Sequence, residues 1–413
     1  MVNNVKKTAI GLLPTSWEVR RIKEVCDTTS GGTPSRSKTE YYDLGTIPWI
    51  KTGELNHKYI FDTEEKITEV ALQQSSAKLV PENSVLMAMY GATIGKTSIT
   101  KVEATTNQAC CVMISKGKLE PEFLYYVLSL NKEKIIALGA GGAQPNISQQ
   151  IIREIEIPLP SQKEQQKIVT VLSNVDRAIE KTGIIIKQTE EVKKGLMRQL
   201  LTKGVGHTKF KKTAVGEIPE EWKLMKQSDF CTFYNGRAYK QSEFREAGTP
   251  VIRIQNLTGG KNYVFSDLIL EENKYVESGD LIYAWSATFG PYIWEGPKAI
   301  YHYHIWKIIC NENLVDKQFL FYRLHYVSSE TNNQKNGSVF AHLTKSFMEN
   351  YMIALPPLKE QRKIVSILSA IDQKISLEKT YLNKLKYLKK GLMQSLLTGK
   401  VRVNFDETEG TQV

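Results

Sequence analysis

The sequence predicts an α+β fold built twice: two domains with β-sheet-rich cores, each followed by a long helix, the two helices burying each other's apolar seams. Three observations predict it. A duplicated pattern runs through the 413 residues, each repeat opens with short β-rich runs, and each closes on a long stripe of apolar residues at spacings of three and four. Lys6-Lys7-Thr8-Ala9-Ile10-Gly11, Pro14 and Trp17 return as Lys211-Lys212-Thr213-Ala214-Val215-Gly216, Pro219 and Trp222, an offset of 205. The offset is 202 at Pro48/Pro250 and 196 from Phe123/Phe319 to the end, so the second front is the shorter one. KEQQKIVTVLS (163–173) faces KEQRKIVSILS (359–369), and KKGLMRQLLT (193–202) faces KKGLMQSLLT (389–398).

In chain order, residues 1–158 form the first domain and 159–205 the first long helix. Residues 206–354 form the second domain, 355–402 the second helix, and 403–413 a flexible tail. The fronts mix runs such as Thr46-Ile47-Pro48-Trp49-Ile50, Ser84–Tyr90 and Leu281–Trp285 with Gly, Pro and Asn turns, and helical EFLYYVLSL or QFLFYRLHY follows. Pro160 and Pro356-Pro357 stop the strand before each long helix, Ser161 is placed to cap the first, and Gly204 and Gly399 to end them. The first seam is Ile168, Leu172, Val175, Ile179, Thr182, Ile186, Thr189, Val192, Leu196 and Leu200. The second is Ile364, Leu368, Ile371, Ile375, Glu378, Leu382, Leu385, Leu388, Leu392 and Leu396. Each is a heptad pattern with one stutter, expected to leave Lys193, Lys194, Lys389 and Lys390 on the outer faces.

Composition narrows the function classes. With 41% apolar and 24% charged residues the chain is no disordered polyelectrolyte. It has no apolar run of signal-peptide or membrane-spanning length, so a cytoplasmic protein without membrane contact is expected. The five cysteines include no C-x-x-C pair, which indicates neither a zinc site nor a disulfide framework. The formal charge of +11 makes a polyanion the first partner to consider. Its location matters more. Residues 163–203 carry nine basic and five acidic residues and 359–402 eleven and three, net +4 and +8, which leaves about −1 for the rest. Nucleic-acid contact by the fronts must therefore come from local patches. The Lys-rich helix faces can be simply solvated, or can face phosphates or an acidic partner.

Motifs for catalysis are missing. Gly91-Ala92-Thr93-Ile94-Gly95-Lys96-Thr97 has three residues between its glycines where a phosphate-binding loop needs four, and reads as a structural turn that offers Lys96 to DNA. Glu64-Glu65-Lys66 with Asp43 reads as a solvated charged turn rather than a nuclease metal site. No N/D-P-P-F/Y run, F-x-G-x-G, G-x-S-x-G or H-E-x-x-H occurs. No catalytic residue and no metal ligand is assigned. His302 and His304 alternate along an expected strand and suit hydrogen bonding to a base or phosphate, or plain surface packing.

The fronts do offer polar and aromatic loop residues suited to DNA. In the first domain these are Thr33, Ser35, Arg36, Lys38, Lys51, Thr52, Tyr90, Lys96, Asn107, Gln108, Gln144 and Asn146. In the second they are Arg237, Tyr239, Lys240, Arg253, Gln255, Asn256, Trp285, Tyr292, His302, His304, Lys335, Asn336 and His342. Arg and Lys pair with guanine, Asn and Gln with adenine, and the rest can hold phosphates.

The whole pattern resembles the specificity (S) subunit of type I restriction-modification systems. The resemblance rests on Leu13-Pro14-x-x-Trp17 and Ile218-Pro219-x-x-Trp222, Gly31-Gly32-Thr33-Pro34-Ser35, Ile47-Pro48-Trp49-Ile50, Gly91–Gly95, Asn107-Gln108-Ala109 and Ala143-Gln144-Pro145-Asn146-Ile147-Ser148. It also rests on the helix starts Leu159–Ile168 and Pro356–Ile364. It implies two target-recognition domains held apart by an antiparallel intramolecular coiled coil. Each domain would read half of a split double-stranded DNA target, and the helices would set the spacer and dock two methyltransferase subunits, with motor-nuclease subunits joining. Such a subunit is not itself an enzyme and binds no cofactor; methyl donor and ATP belong to its partners. Gly290-Pro291 and Ala341-His342-Leu343-Thr344 depart from the first repeat, so roles do not transfer between domains residue for residue. A single-chain DNA methyltransferase would need a methyl-donor fold the sequence has no room for. A protein-only coiled-coil scaffold would leave the two diverged fronts unexplained.

Overall fold

The computed structural model describes residues 4–139, 146–286, 288–333 and 344–403. Among these, no helix is long and apolar enough to cross a membrane. The chain divides into two compact units, residues 1–183 with 381–413, and residues 184–380. The division cuts through both long helices, Gln162–Lys203 and Leu358–Leu396.

In the first unit a hairpin, Val5–Thr8 with Gly11–Pro14, precedes two sheets. One has the strand order Cys26–Ser30, Cys110–Ser115, Val85–Ala88, Thr97–Thr100, Tyr59–Ile60. The other runs Lys66–Ile67, Ile47–Ile50, Ala104–Thr106, Leu79–Val80, with its central pair parallel. Val85–Ala88 is buried at all four residues, as befits a central strand covered on both faces. The second unit repeats this plan: the hairpin Phe210–Thr213 with Gly216–Pro219, then a sheet Cys231–Asn235, Ile305–Cys310, Leu281–Ala284, Gly290–Ile293. Its other sheet is Val264–Ser266, Thr249–Ile252, Ala299–Tyr301, Tyr275–Val276, again with a parallel central pair. Among the described residues the counterpart of the fifth strand, Tyr59–Ile60, is missing from the first of these sheets, in the part of the front where the sequence is shorter. EFLYYVLSL lies in the helix Pro121–Leu130, which begins on a proline where no intrahelical N–H is needed, and QFLFYRLHY in Lys317–Asn333.

Within each unit the start of one long helix meets the end of the other, so the pairing is antiparallel. Ile168 and Leu172 share the first core with Met393, Leu396, Leu397, Phe123 and Leu124. Ile364 and Leu368 share the second with Met197, Leu200, Leu201, Phe319 and Leu320. Ile186, Ile375 and Leu385 are also buried, and Val175, Ile179, Leu196, Ile371, Leu382 and Leu392 are half-buried. The expected seam fails at two matched places. Val192 and Leu388 are 56% and 50% exposed, and the next residue of each helix, Lys193 and Lys389, turns inward instead. Lys193 lies 2.5 Å from Asp372, which also accepts the Tyr322 hydroxyl at 2.8 Å. Lys389 lies 2.5 Å from Asp176, which accepts Tyr126 at 2.6 Å. Only Lys194 and Lys390 keep the expected outer position. A step of four from Thr189 to Lys193, and another to Met197, follows the 3.6-residue turn where a strict heptad would step by three.

The E-Q pair opening each helix ties three parts of a unit together. Glu164 is 1% exposed and accepts the Trp17 indole N–H at 2.9 Å and Arg402 Nη2 at 2.9 Å. Glu360 accepts Trp222 at 3.0 Å and the Val205 N–H at 3.0 Å, with His207 Nε2 at 2.8 Å. Gln165 donates to Pro160 and Lys118 carbonyls and accepts the Glu120 N–H; Gln361 does the same with Pro356, Leu314 and Asp316. Ser161 accepts the Glu164 N–H at 3.4 Å. Gly204 and Gly399 end the helices at φ +69° and +67°, and a Cβ on either would strike Trp222 or Pro14.

Leu172→Ala, which empties a fully buried site, is expected to cost about 2–5 kcal/mol. Val192→Ala and Leu388→Ala should each stay within about 0.5 kcal/mol. Urea unfolding of the three variants measures both, and equal losses at 172 and 192 would restore the regular heptad seam.

Candidate nucleic-acid interface

In the first unit the loop after strand Cys26–Ser30 runs tight against the second sheet. A Cβ on Gly31 would come within 1.8 Å of the Thr106 carbonyl oxygen, so only glycine allows this approach. The Trp49 indole donates to Gly32 O at 3.1 Å and the Tyr42 hydroxyl to Pro34 O at 2.6 Å, which fixes the loop. Arg36 lies over the rings of Tyr42 and Trp49, 4.4 and 5.0 Å from their centroids, and pairs with Glu65 at 2.7 Å. Lys51 reaches Glu65 at 3.4 Å and Glu64 at 3.7 Å, so the expected charged turn orders two cations. Arg36, and after it Lys51, pulls the Glu65 carboxyl below its ordinary range. Thr33 donates to Gln108 Oε1 at 2.6 Å, and Gln108 is exposed. The turn Asn107–Ala109 is joined to Tyr90 through Met89, whose N–H donates to Ala109 O, and Tyr90 bridges to Asn146. Thr33, Arg36, Lys51, Tyr90, Gln108 and Asn146 thus line connected loops. Lys38 donates to the Tyr41 hydroxyl beside them. Asn107 Oδ1 is buried and unpaired. Ser35 meets Ser37, Thr52 opens a short turn, and Lys96 lies apart, bonded to Asn56 at 2.6 Å. Gln144 lies outside the described residues.

The second unit builds the same frame from other side chains. Asn107 N donates to Ile50 O at 3.0 Å; His302 N donates to Ile252 O at 2.9 Å. Cys110 N returns to Asn107 O, and Ile305 N to His302 O; Met89 N meets Ala109 O, and Trp285 N meets His304 O. The turn Asn107-Gln108-Ala109 therefore has its counterpart in His302-Tyr303-His304, an equivalence that shares no residue and is invisible to sequence matching. It corrects the expected strand: Ala299–Tyr301 ends before His302 and Ile305–Cys310 begins after His304. The two imidazoles are still neighbours, with centroids 4.9 Å apart, and Tyr303, 40% exposed, lies against both. Trp285 packs edge-on to His304 at 5.2 Å, stacks on Trp306 at 5.7 Å and donates to Tyr303 O. Tyr303 has no signal of its own in the sequence, where it stands between the alternating histidines.

Arg237 pairs bidentately with Glu243 at 2.6 and 2.9 Å and hydrogen-bonds through its backbone beside His302. Arg237, and then the Lys240 backbone N–H, hold the Glu243 carboxyl down at about 2. Tyr239 lies under Arg237, at 5.2 Å. Arg253 and Gln255 both reach Asn262 O, at 3.5 and 3.2 Å. Asn256 is 8% exposed with its amide bonded to Gly260, Asn262 and Arg253 backbone groups, so it shapes the loop from inside. Tyr292 is half-buried on the strand Gly290–Ile293, against the sheet core. Lys335, Asn336 and His342 lie outside the described residues. Among the described residues no group of three or more His, Cys, Asp or Glu side chains is placed to hold a metal.

Burial lowers the pKa of His302, with His304 and Arg253 adding to it, and burial lowers that of His304. The unfolded chain therefore takes up these protons first as pH falls through about 6.5, and folded stability, fully present above that value, declines below it. The drop in melting temperature between pH 7.5 and 5.5 is expected to shrink in a His302→Gln, His304→Gln variant. An identical drop would show that these imidazoles do not titrate against the fold.

The comparisons with known proteins agree with this architecture. A family described as the type I restriction modification DNA specificity domain matches residues 14–189 and again 219–387. The MjaVIII specificity subunit of Methanocaldococcus jannaschii is 30% identical over 416 residues, 95% of this chain and 94% of that protein. The MjaIX specificity subunit of the same organism is 29% identical over 96% of both. Among solved structures, the S subunit of a type I restriction-modification system from M. genitalium superposes with a TM-score of 0.58 at 17% identity, covering 96% of this chain and 97% of that one. A chain from a type I R-M assembly reaches 0.63 at 18% identity, covering 94% and 99%. With two matched domains and relatives aligned nearly end to end, the chain belongs to the type I restriction-modification DNA specificity family.

Proposed function

We propose that this chain is the DNA-reading subunit of a type I restriction-modification complex, each recognition domain contacting one half of a bipartite double-stranded target. The observation that carries the reading is the pair of equivalent turns, Asn107–Ala109 and His302–His304, held by matching backbone hydrogen bonds yet presenting different side chains. Two readers of different sequences on one repeated scaffold need that combination. Each domain also holds an arginine on a carboxylate, Arg36 on Glu65 and Arg237 on Glu243, whose remaining N–H groups are donors for guanine or phosphate. The recognition domains are residues 1–158 and 206–354. The helical segments 159–205 and 355–402 set the unread spacer and dock two methyltransferase subunits; residues 404–413 of the expected tail lie outside the described residues. Catalysis, methyl donor and ATP belong to the methyltransferase and motor-nuclease partners, and the complex works on cytoplasmic DNA.

Methylome sequencing with and without the gene tests this directly. A two-part adenine motif should disappear in its absence, and a methylome without any such difference would refute the reading. Replacing residues 11–158 with another family member's front should alter only one half of that motif.

Spacing is tested by inserting four residues after Thr182, which adds about 6 Å and little more than one turn, leaving the seam facing its partner. The tolerated spacer should lengthen by about two base pairs of 3.4 Å rise while both half-sites stay the same. An unchanged spacer at full activity would show that the helices do not measure it.

A further inference from the structure

Lys96, which stands apart from the reading loops, belongs to a second cationic feature. A cleft of about 250 Å³ opens between the Leu55–His57 segment, the Gly95–Thr97 turn and the helices that contain Tyr125, Ser129 and Lys132. Two lysines and a histidine line it (Lys96, Lys132 and His57), together with the hydroxyls of Thr97 and Ser129 and the amide of Asn56; no carboxylate does. Asn56 Oδ1 fixes the Lys96 ammonium at 2.6 Å, and the two hydroxyls lie 3.2 Å apart. Elsewhere in this domain Lys23, Lys51, Lys58, Lys66 and Lys116 each have a carboxylate within 4.0 Å. Among the described residues, neither Lys132 nor His57 has one. Gly95 favours the arrangement: at φ +73° a Cβ would come 3.0 Å from Ile136 and 3.1 Å from Lys132 Cγ, so a side chain there would be strained and would crowd the Lys132 side chain.

We propose that this cleft binds a phosphodiester group of the DNA backbone, a phosphate clamp whose basic residues are not repeated at the matching positions of the second domain. Two ammonium groups and a ring N–H around a small volume without a counter-charge suit a tetrahedral oxyanion, and Thr97 and Ser129, hydrogen-bonded to each other, add polar lining. DNA is favoured over a carboxylate of a protein partner because the turn that carries Lys96 continues directly from Tyr90. Its neighbour Met89 donates its N–H to Ala109 O of the Asn107–Ala109 turn and accepts the Ile147 N–H beside Asn146. In the second domain the matching stretch is Phe289-Gly290-Pro291, Gly259 replaces His57, and Ser328 replaces Lys132 and meets the Tyr283 hydroxyl at 3.0 Å. The clamp would add affinity to one half-site without reading a base there.

The proposal rests on the DNA-reading function above, and its test separates the two. The full chain with its methyltransferase subunits is titrated with a duplex carrying the methylome-derived target, between 50 and 200 mM salt, for the wild type and a Lys96→Gln, Lys132→Gln variant. Loss of one phosphate contact should reduce the slope of log K against log salt by about 0.9. The methylated motif should stay the same, and Lys134→Gln, on an exposed position of the same helix, should leave the slope as it is. An unchanged slope in the double variant with intact target binding overturns the clamp. So does an unchanged slope accompanied by weaker retention of the methyltransferase subunits, which would give the cleft to a protein partner. A wild type without any preference for the target duplex sinks the DNA-reading function, and the clamp with it.

Discussion

A carboxylate with 1% exposure is a costly thing to place in a protein unless every lone pair finds a donor, and Glu164 makes the first unit depend on meeting that demand. Its donors come from two distant stretches, the Trp17 indole of the opening motif and the Arg402 guanidinium beyond the second long helix. Glu360 makes the same demand in the second unit, answered by Trp222, His207 and the Val205 backbone. The neighbouring glutamines, Gln165 and Gln361, then fasten the loop that leads into each domain's own helix. The E-Q pair is therefore an architectural joint, which explains why it recurs at the start of both helices while the fronts between them diverge.

Much of this was legible in the sequence because repetition marks what the scaffold requires. Pro14/Trp17 and Pro219/Trp222, the E-Q helix starts and most of the apolar seam all recur at fixed offsets and all proved structural. The seam was misread at Val192 and Leu388 because a heptad template assigns apolar residues inward, whereas the helix turns at 3.6 residues and Lys193 and Lys389 have Asp372 and Asp176 to meet. The site was only partly legible. Arg36, Lys51, Gln108, Arg237, His302 and His304 are recognisable as loop residues with suitable chemistry. Their carboxylate partners and the equivalence of the Asn107 and His302 turns depend on backbone pairing between strands far apart in sequence. Lys132 and His57 carry no motif at all.

The two candidate surfaces also differ in how they are stiffened. In the first, Arg36 is sandwiched by contacts to Tyr42, Trp49 and Glu65, and the loop below it is pinned by an indole and a phenol. In the second, rings stack on rings: Trp306 supports Trp285, which in turn flanks His304. Either way the groups that would meet DNA are ordered beforehand, so less conformational entropy is lost on binding. The polar version suits hydrogen-bond recognition and the aromatic version adds flat apolar surface next to its donors.

The lysine–aspartate–tyrosine contacts of the long helices have one more consequence. Asp176 and Tyr126 of the first repeat receive Lys389 of the second, and Asp372 and Tyr322 of the second receive Lys193 of the first. Donor and acceptor exchange places between the two bridges. This is the contact pattern of an isologous dimer, in which one patch serves both partners. A half-length ancestor carrying one lysine, one aspartate and one tyrosine at these positions would already have possessed the complete set of bridges by pairing with itself. A linker alone would join two such halves, and each front could then change without disturbing the bridges.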